Sequence, residues 1–187
     1  MPFYLPVTDM IREKEIFSSM LSEYHYLGYK QHVGEHMKYL ILDRGSNPIS
    51  CILFGSAAWT ISDRDKYIGW SSEKRRNNLH YVTNNMRFLI LPWIRIKNLA
   101  SYILSQISRR IVEDWKERYK HPIYLIETFV EKERFEGTCY KASNWIKVGQ
   151  TKGRTRNDRY SKIKAPIKDI YLYPLVKNFR ELLNKGS

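Results

Sequence analysis

The residues able to do chemistry fall into a few short stretches. The densest is Lys147–Lys164, where seven basic side chains (Lys147, Lys152, Arg154, Arg156, Arg159, Lys162, Lys164) meet one acid, Asp158, for a local charge of +6. Gly, Thr and Asn separate these cations and no apolar period runs through them. The segment therefore reads as a loop that would grip phosphates, with Tyr160 able to stack on a base. A solvated surface loop is the alternative. His32-Val-Gly-Glu35-His36 has two histidines four apart but leads into a strand, which would hold them roughly 13 Å apart at ~3.3 Å per residue. One metal ion cannot bridge that distance unless Gly34 folds the loop back, so no metal is expected. Asp63 and Asp65 could together hold Mg²⁺, but they sit in a charge-mixed stretch and read as a solvated turn. Cys51 lies in an apolar run and reads as a small core residue, while Cys139 is a candidate acyl-accepting thiol.

The whole chain frames these stretches. Its 187 residues carry 32 Lys+Arg against 19 Asp+Glu, a net +13, with a sequence pI near 9.7. A hydrophobic content of 43% with 14% aromatics excludes disorder, and the length suits one domain with a real core. The mean hydropathy of −0.52 and the lack of a long apolar run exclude a membrane span. Two cysteines without CxxC spacing exclude a disulfide scaffold, and Met1 to Arg12 holds no apolar signal core. A cytoplasmic protein with a nucleic-acid partner is the expectation, DNA more than RNA.

The apolar patterning predicts a helix capped by Thr8 or Asp9 with its stripe at Ile16/Phe17, Met20/Leu21 and Tyr24. A strand at His36–Leu42 and a turn at Asp43–Pro48 follow, with a hairpin partner over Ile49–Trp59. Asp63–Asn78 is mostly polar, with a short helix at Ser72–Asn78. Met86–Trp93 reads as a strand buried on both faces, ended by Pro92. Leu99, Ile103, Ile107, Ile111 and Trp115 recur every four residues, predicting one helix from Asn98 to Tyr119. A strand (Ile123–Val130), a short helix (Phe135–Asn144), a strand (Trp145–Val148), a last strand (Ile167–Tyr173) and a terminal helix (Val176–Asn184) complete one α+β domain. The strand–long helix–strand unit makes its two strands parallel neighbours. Trp93 and Trp145 fall at strand ends, where they serve recognition or the core; Trp70 belongs with them.

This succession resembles the fold of the GNAT superfamily of N-acetyltransferases: a mixed sheet with helices on both faces. Arg95-Ile-Lys-Asn98-Leu-Ala100 resembles that family's Arg-x-x-Gly-x-Gly/Ala turn, where a helix N-terminus holds the pyrophosphate of coenzyme A. The resemblance implies acetyl-CoA or another acyl donor, contacted by Leu91, Trp93, Arg95, Lys97, Asn98, Leu99 and Ala100. Cys139-Tyr140-Lys-Ala-Ser-Asn144-Trp145 resembles the Tyr-x-x-x-Gly-Phe segment, which implies Tyr140 as general acid; a core aromatic is the alternative. Glu127 is then a candidate general base, or the partner of a basic neighbour such as Arg87. In both motifs a glycine is replaced, by Asn98 and by Asn144, and Asn is the side chain that best tolerates a left-handed backbone.

A second resemblance spans about Glu23 to Leu175. Tyr24-His-Tyr-Leu-Gly-Tyr29, Phe54-Gly-Ser-Ala-Ala-Trp59, Asp65-Lys-Tyr-Ile-Gly-Trp70, Arg87-Phe-Leu-Ile-Leu-Pro-Trp93 and Gly137-Thr-Cys-Tyr140 are similar to the Druantia anti-phage protein A family. So are Asn144-Trp145, Gly149-Gln-Thr-Lys-Gly-Arg154 and Pro166-Ile-Lys-Asp-Ile-Tyr171. Similar domains occur fused to transposases. The resemblance implies phage defence or mobile elements, with nucleic acid nearby. Two functions are expectations: acyl transfer to a nucleic-acid amine, or a non-catalytic DNA-binding module serving helicase or transposase partners.

Overall fold

The structure is a computed structural model describing residues 11–30, 32–153 and 165–185. Its elements run α1 (Ile11–Tyr24), β1 (His36–Leu42), β2 (Pro48–Ser56), α2 (Ser62–Ile68), α3 (Ser72–Asn78), a 3₁₀ turn (Leu79–Tyr81) and β3 (Val82–Ile90). Then come α4 (Leu99–Tyr119), β4 (Leu125–Glu131), α5 (Thr138–Ala142), β5 (Ile146–Gln150), β6 (Lys168–Pro174) and α6 (Phe179–Asn184). The strands are ordered β1-β2-β3-β4-β6-β5 in one sheet, so β3 and β4 are neighbours. By packing the chain divides into two units. One holds the described residues up to Ser56 with Asn85–Leu99, the other Ala57–Asn84 with the described residues from Ala100 onward.

In the first unit, α1 buries Phe17, Met20 and Leu21 against Leu40, Cys51, Leu53, Leu89 and Leu91. The predicted cap at Thr8 and Asp9 lies outside the described residues. The β1–β2 hairpin pairs His36 with Gly55 and Leu40 with Cys51. Its turn is held by Asp43, whose Oδ1 accepts the amides of Gly45 and Asn47, each at 2.8 Å. Strand β3 starts at Val82 rather than Met86 and ends at Ile90. Its early residues are polar, and Asn85 sits buried because its Nδ2 donates to Leu53 O (3.2 Å) and Arg87 O (3.1 Å). The expected apolar strand through Trp93 is therefore corrected. Leu91 N–H closes on Ile49 O at 3.0 Å, and Ile94 N–H then turns back to Leu91 O at 2.9 Å, since Pro92 has no donor to extend the ladder.

In the second unit, α4 buries Ile103, Ile107, Ile111 and Trp115 as its four-residue period predicts, and Leu99 at its start is buried too. Strand β6 lies antiparallel between β4 and β5, pairing Glu127 with Leu172 and Leu172 with Ile146. A helix that hydropathy did not indicate, α2, replaces the expected solvated turn at Asp63 and Asp65. Gly69 ends it in the left-handed region (φ +80°) with its amide on Asp65 O. Its apolar face packs Ile68 with Trp70, Val82, Leu125, Ile170, Leu172, Phe179 and Leu183.

Candidate functional site

In the first unit, the segment after β3 presents the phosphate-type groups. Arg95, Lys97 and Asn98 are exposed. Asn98 has φ +60°, so the turn keeps a backbone that usually selects glycine, and Leu99 N–H bonds Ile96 O at 3.3 Å. The 21-residue α4 that follows has no acid in its first turn. The opening amides of a helix lack intrahelical partners and favour an anion, and two cations precede them here. Leu91 and Leu99 are buried, so their side chains serve the core and only their backbone is placed for a ligand. Ala100 is half-buried. Trp93 is 59% exposed, not the end of a buried strand, and its ring stands edge-on to Tyr24 at 5.2 Å.

Glu127, in the second unit, is fully buried and committed. Its Oε1 accepts the Ala58 amide at 2.7 Å and its Oε2 accepts Arg64 Nη1 at 2.8 Å, with Arg64 equally buried. Arg64 also donates to Ala58 O (2.6 Å) and to Asp65 Oδ1, which accepts Trp70 Nε1 (3.0 Å); Arg75 binds Asp65 Oδ2 at 3.1 Å. Burial pushes the Glu127 carboxyl upward against the pull of Arg64. The partner is thus Arg64 and not Arg87, which instead donates to Gly28 O and Met86 O. With neither oxygen exposed and both engaged, the carboxylate forms a structural ion pair, and the geometry gives no support to its role as general base. One signal for Arg64 was available: it lies three residues after Ile61 and four before Ile68, on the inward face of α2.

Tyr140 is buried on α5, edge-on to Trp145 (5.0 Å) and stacked on Tyr171 (5.8 Å). The helix end makes this contact. Asn144 has φ +64°, Trp145 N–H reaches Tyr140 O (3.0 Å) and Asn144 N–H reaches Lys141 O (3.1 Å). That is a Schellman motif, whose apolar contact joins these two positions. Trp145 is therefore core. Among the described residues, Trp145 Nε1 and Tyr171 Oη have no hydrogen-bond partner. Burial raises the Cys139 thiol above its ordinary range, which disfavours the thiolate an acyl acceptor needs. Cys51 is a core thiol pushed up to about 12 by burial.

Of the basic segment, Lys147 binds Asp169 Oδ2 at 2.7 Å, Gln150 Nε2 binds Oδ1 at 2.8 Å, and Lys152 is exposed. Burial works against charge on Asp169, but Lys147 and Gln150 outweigh it and hold the carboxyl below its usual range. Arg154, Arg156, Arg159, Tyr160, Lys162 and Lys164 lie outside the described residues. Across the base of that segment, Ala165 N–H bonds Gly153 O at 3.0 Å. Asp63 accepts the Gln150 amide at 2.9 Å. Gly34, at φ +92°, does fold its loop back: the His32 and His36 rings lie 5.7 Å apart, not some 13 Å. Among the described residues no group of three or more His, Cys, Asp or Glu could hold a metal ion.

A family model for Druantia protein DruA matches residues 5–165. The chain belongs to the DruA family. No curated protein matches this DruA-family chain. Solved structures do: the spermidine/spermine N-acetyltransferase SpeG of Vibrio cholerae is 10% identical over 96% of each chain, with a TM-score of 0.59. The same enzyme in complex with CoA and spermine is 9% identical over 92% of this chain and 95% of that one, at 0.59. A chimera of it with hSSAT reaches 0.62 at 11% identity, covering 94% and 96%. At such identities the likeness establishes the fold, which is GNAT-like. No helix among the described residues is long and apolar enough to cross a membrane.

Proposed function

We propose that this DruA-family chain is an acyltransferase of phage defence that passes an acyl group from a coenzyme-A-type donor to an amine on nucleic acid. The observation that carries this reading is the left-handed Asn98 at the head of α4, with Arg95 and Lys97 exposed beside it. The residues fit a diphosphate: two cations, a helix start without an acid, and a turn whose backbone survives the loss of glycine. Arg95, Lys97 and the amides around Asn98 and Ala100 would hold the donor. When bound, such a donor supplies an activated acyl carbonyl.

As the amine bonds to the acyl carbonyl the C–S bond breaks, and in this reading Tyr140 donates its proton to the departing coenzyme thiolate, its ring held by the Schellman turn and by Tyr171. Glu127 takes no part in proton transfer; its work is to tie Ala58 and Arg64 to β4. The acceptor amine must then arrive neutral or lose its proton to water. The basic segment 152–164 supplies contacts to the phosphate backbone. The test is transfer of labelled acetyl groups from acetyl-CoA to DNA and to aminoacyl-tRNA. Label should enter one of them and fall at least tenfold in Tyr140→Phe; no label in either, under conditions where coenzyme binds, overturns the reaction.

The sealing of Glu127 also favours a second reading, in which the same frame is a non-catalytic DNA-binding module working with helicase or transposase proteins. It predicts duplex binding with no coenzyme response.

A further inference from the structure

The first unit exposes several large aromatic and apolar side chains in two short segments. Trp93 is 59% exposed and Tyr24 42%, and Tyr26, Leu27 and Ile96 are exposed beside them in sequence. The rings are held in place. Tyr24 ends α1, and Trp93 rides the turn closed by Ile94 N–H on Leu91 O, edge-on to Tyr24 at 5.2 Å. Tyr26 stacks on His25 at 4.9 Å, and His25 Nδ1 accepts the Leu27 amide at 3.2 Å. A ring fixed before binding loses little entropy when a planar ligand stacks on it.

Charge selects the ligand. The segments 24–30 and 91–98 contain Lys30, Arg95 and Lys97 and no Asp or Glu, and all three cations are exposed. An apolar protein partner or a second copy of this chain would have to desolvate these cations. A chain of bases and phosphates uses both the rings and the charges. Duplex DNA hides its base faces, so the matching ligand has unpaired bases.

We infer that Trp93 and Tyr24, flanked by Lys30, Arg95 and Lys97, form a stacking platform for single-stranded nucleic acid. At least one base lies on the Trp93 indole and an adjacent phosphate meets Lys30; Arg95 and Lys97 meet the strand only when no donor occupies their turn, so donor and strand compete for them. This deepens the proposed function by naming the nucleic acid as single-stranded, and it rests on the nucleic-acid half of that reading only. A DNA-binding module would use the platform equally well.

The test is tryptophan fluorescence with the full chain, titrated with an oligo-dT of about 12 nucleotides, a length within the usual single-strand site size. Oligo-dT should quench emission saturably. Trp93→Ala should remove that quenching and weaken binding about five- to 150-fold, the range of one base stack at ~1–3 kcal/mol. Trp93→Phe should restore most of the affinity, and an equal duplex should bind Trp93→Ala as well as the parent. Because Trp93 is exposed, an unchanged Tm confirms that each variant is folded. Equal oligo-dT affinity in Trp93→Ala and the parent overturns the platform, even if acetyl transfer is intact. Quenching of Trp93 by coenzyme A alone, with none by oligo-dT, assigns the ring to the donor and overturns it too. Acetyl transfer that fails while oligo-dT still quenches Trp93 removes the proposed reaction and leaves the platform standing.

Discussion

Glu127 and Arg64 face each other at 2.8 Å with neither side chain exposed. This one contact turns a residue that resembled a catalytic base into part of the frame. The carboxylate is further held by the Ala58 amide, and the guanidinium by Ala58 O and Asp65.

Breaking the pair should therefore cost stability. Glu127→Gln removes the buried one of the two carboxylates that pair with the Arg64 guanidinium, leaving Asp65, a loss of up to about 3–5 kcal/mol. Urea unfolding measures it. The joint change Arg64→Met with Glu127→Leu should recover much of the loss; a single variant within about 1 kcal/mol of the parent would contradict the assignment.

Tyr171 Oη has no partner among the described residues, so Tyr171→Phe should be neutral or slightly stabilising, because a buried unbonded hydroxyl contributes nothing to folding. Gly137→Ala should do the opposite. Its φ of +68° disfavours a side chain, and a Cβ there would lie 2.5 Å from Tyr171 Oη and 2.8 Å from Tyr171 Cζ. A cost of about 1–3 kcal/mol is expected, read from the shift in Tm.

Acid should destabilise the first unit through His25. Burial first, then Arg87, lowers its pKa from 6.5 to about 4. Between those values the unfolded chain binds more protons than the folded one. Stability therefore rises with pH across the window and is lost as pH falls from 6.5 towards 4. His25→Gln should flatten that part of the pH–stability curve; an unchanged slope would show that His25 titrates normally.

Duplex binding should depend on salt. If about five side chains of the basic segment meet phosphates, log K falls with log[salt] at a slope of roughly −4 to −5. Arg154→Glu with Arg156→Glu should weaken all sequences alike and flatten the slope by about 2. Lys147, tied to Asp169, should matter less. Unchanged affinity in the double variant would mark the segment as a solubilising surface.

Local periodicity made much of this fold legible. Strand β1 spans His36–Leu42 and α3 spans Ser72–Asn78 as read from sequence, and the stripe from Leu99 to Trp115 is buried on α4. The two Asn-for-Gly replacements also declared their conformation, since both are left-handed in the structure. What escaped the sequence depends on long-range partners. Asn85 falls just before the strand predicted from Met86 and is drawn into it by its bond to Leu53 O, and Arg64 lies between Asp63 and Asp65 in the expected solvated turn until Glu127 meets it across 63 residues. The insertion of β6 between β4 and β5 has no local signature either, because neighbouring strands in sequence need not be neighbours in the sheet. The motif resemblance singles out Tyr140, but only the Schellman turn explains why its ring meets Trp145.

Isothermal calorimetry of the full chain with acetyl-CoA shows directly whether the turn at Arg95–Ala100 holds the coenzyme-A-type donor proposed for it. Saturable one-site heat is expected, disappearing in Arg95→Glu with Lys97→Glu while Tm stays near that of the parent. No heat and no rise in Tm up to about 1 mM coenzyme, the top of the usual substrate range, would contradict it.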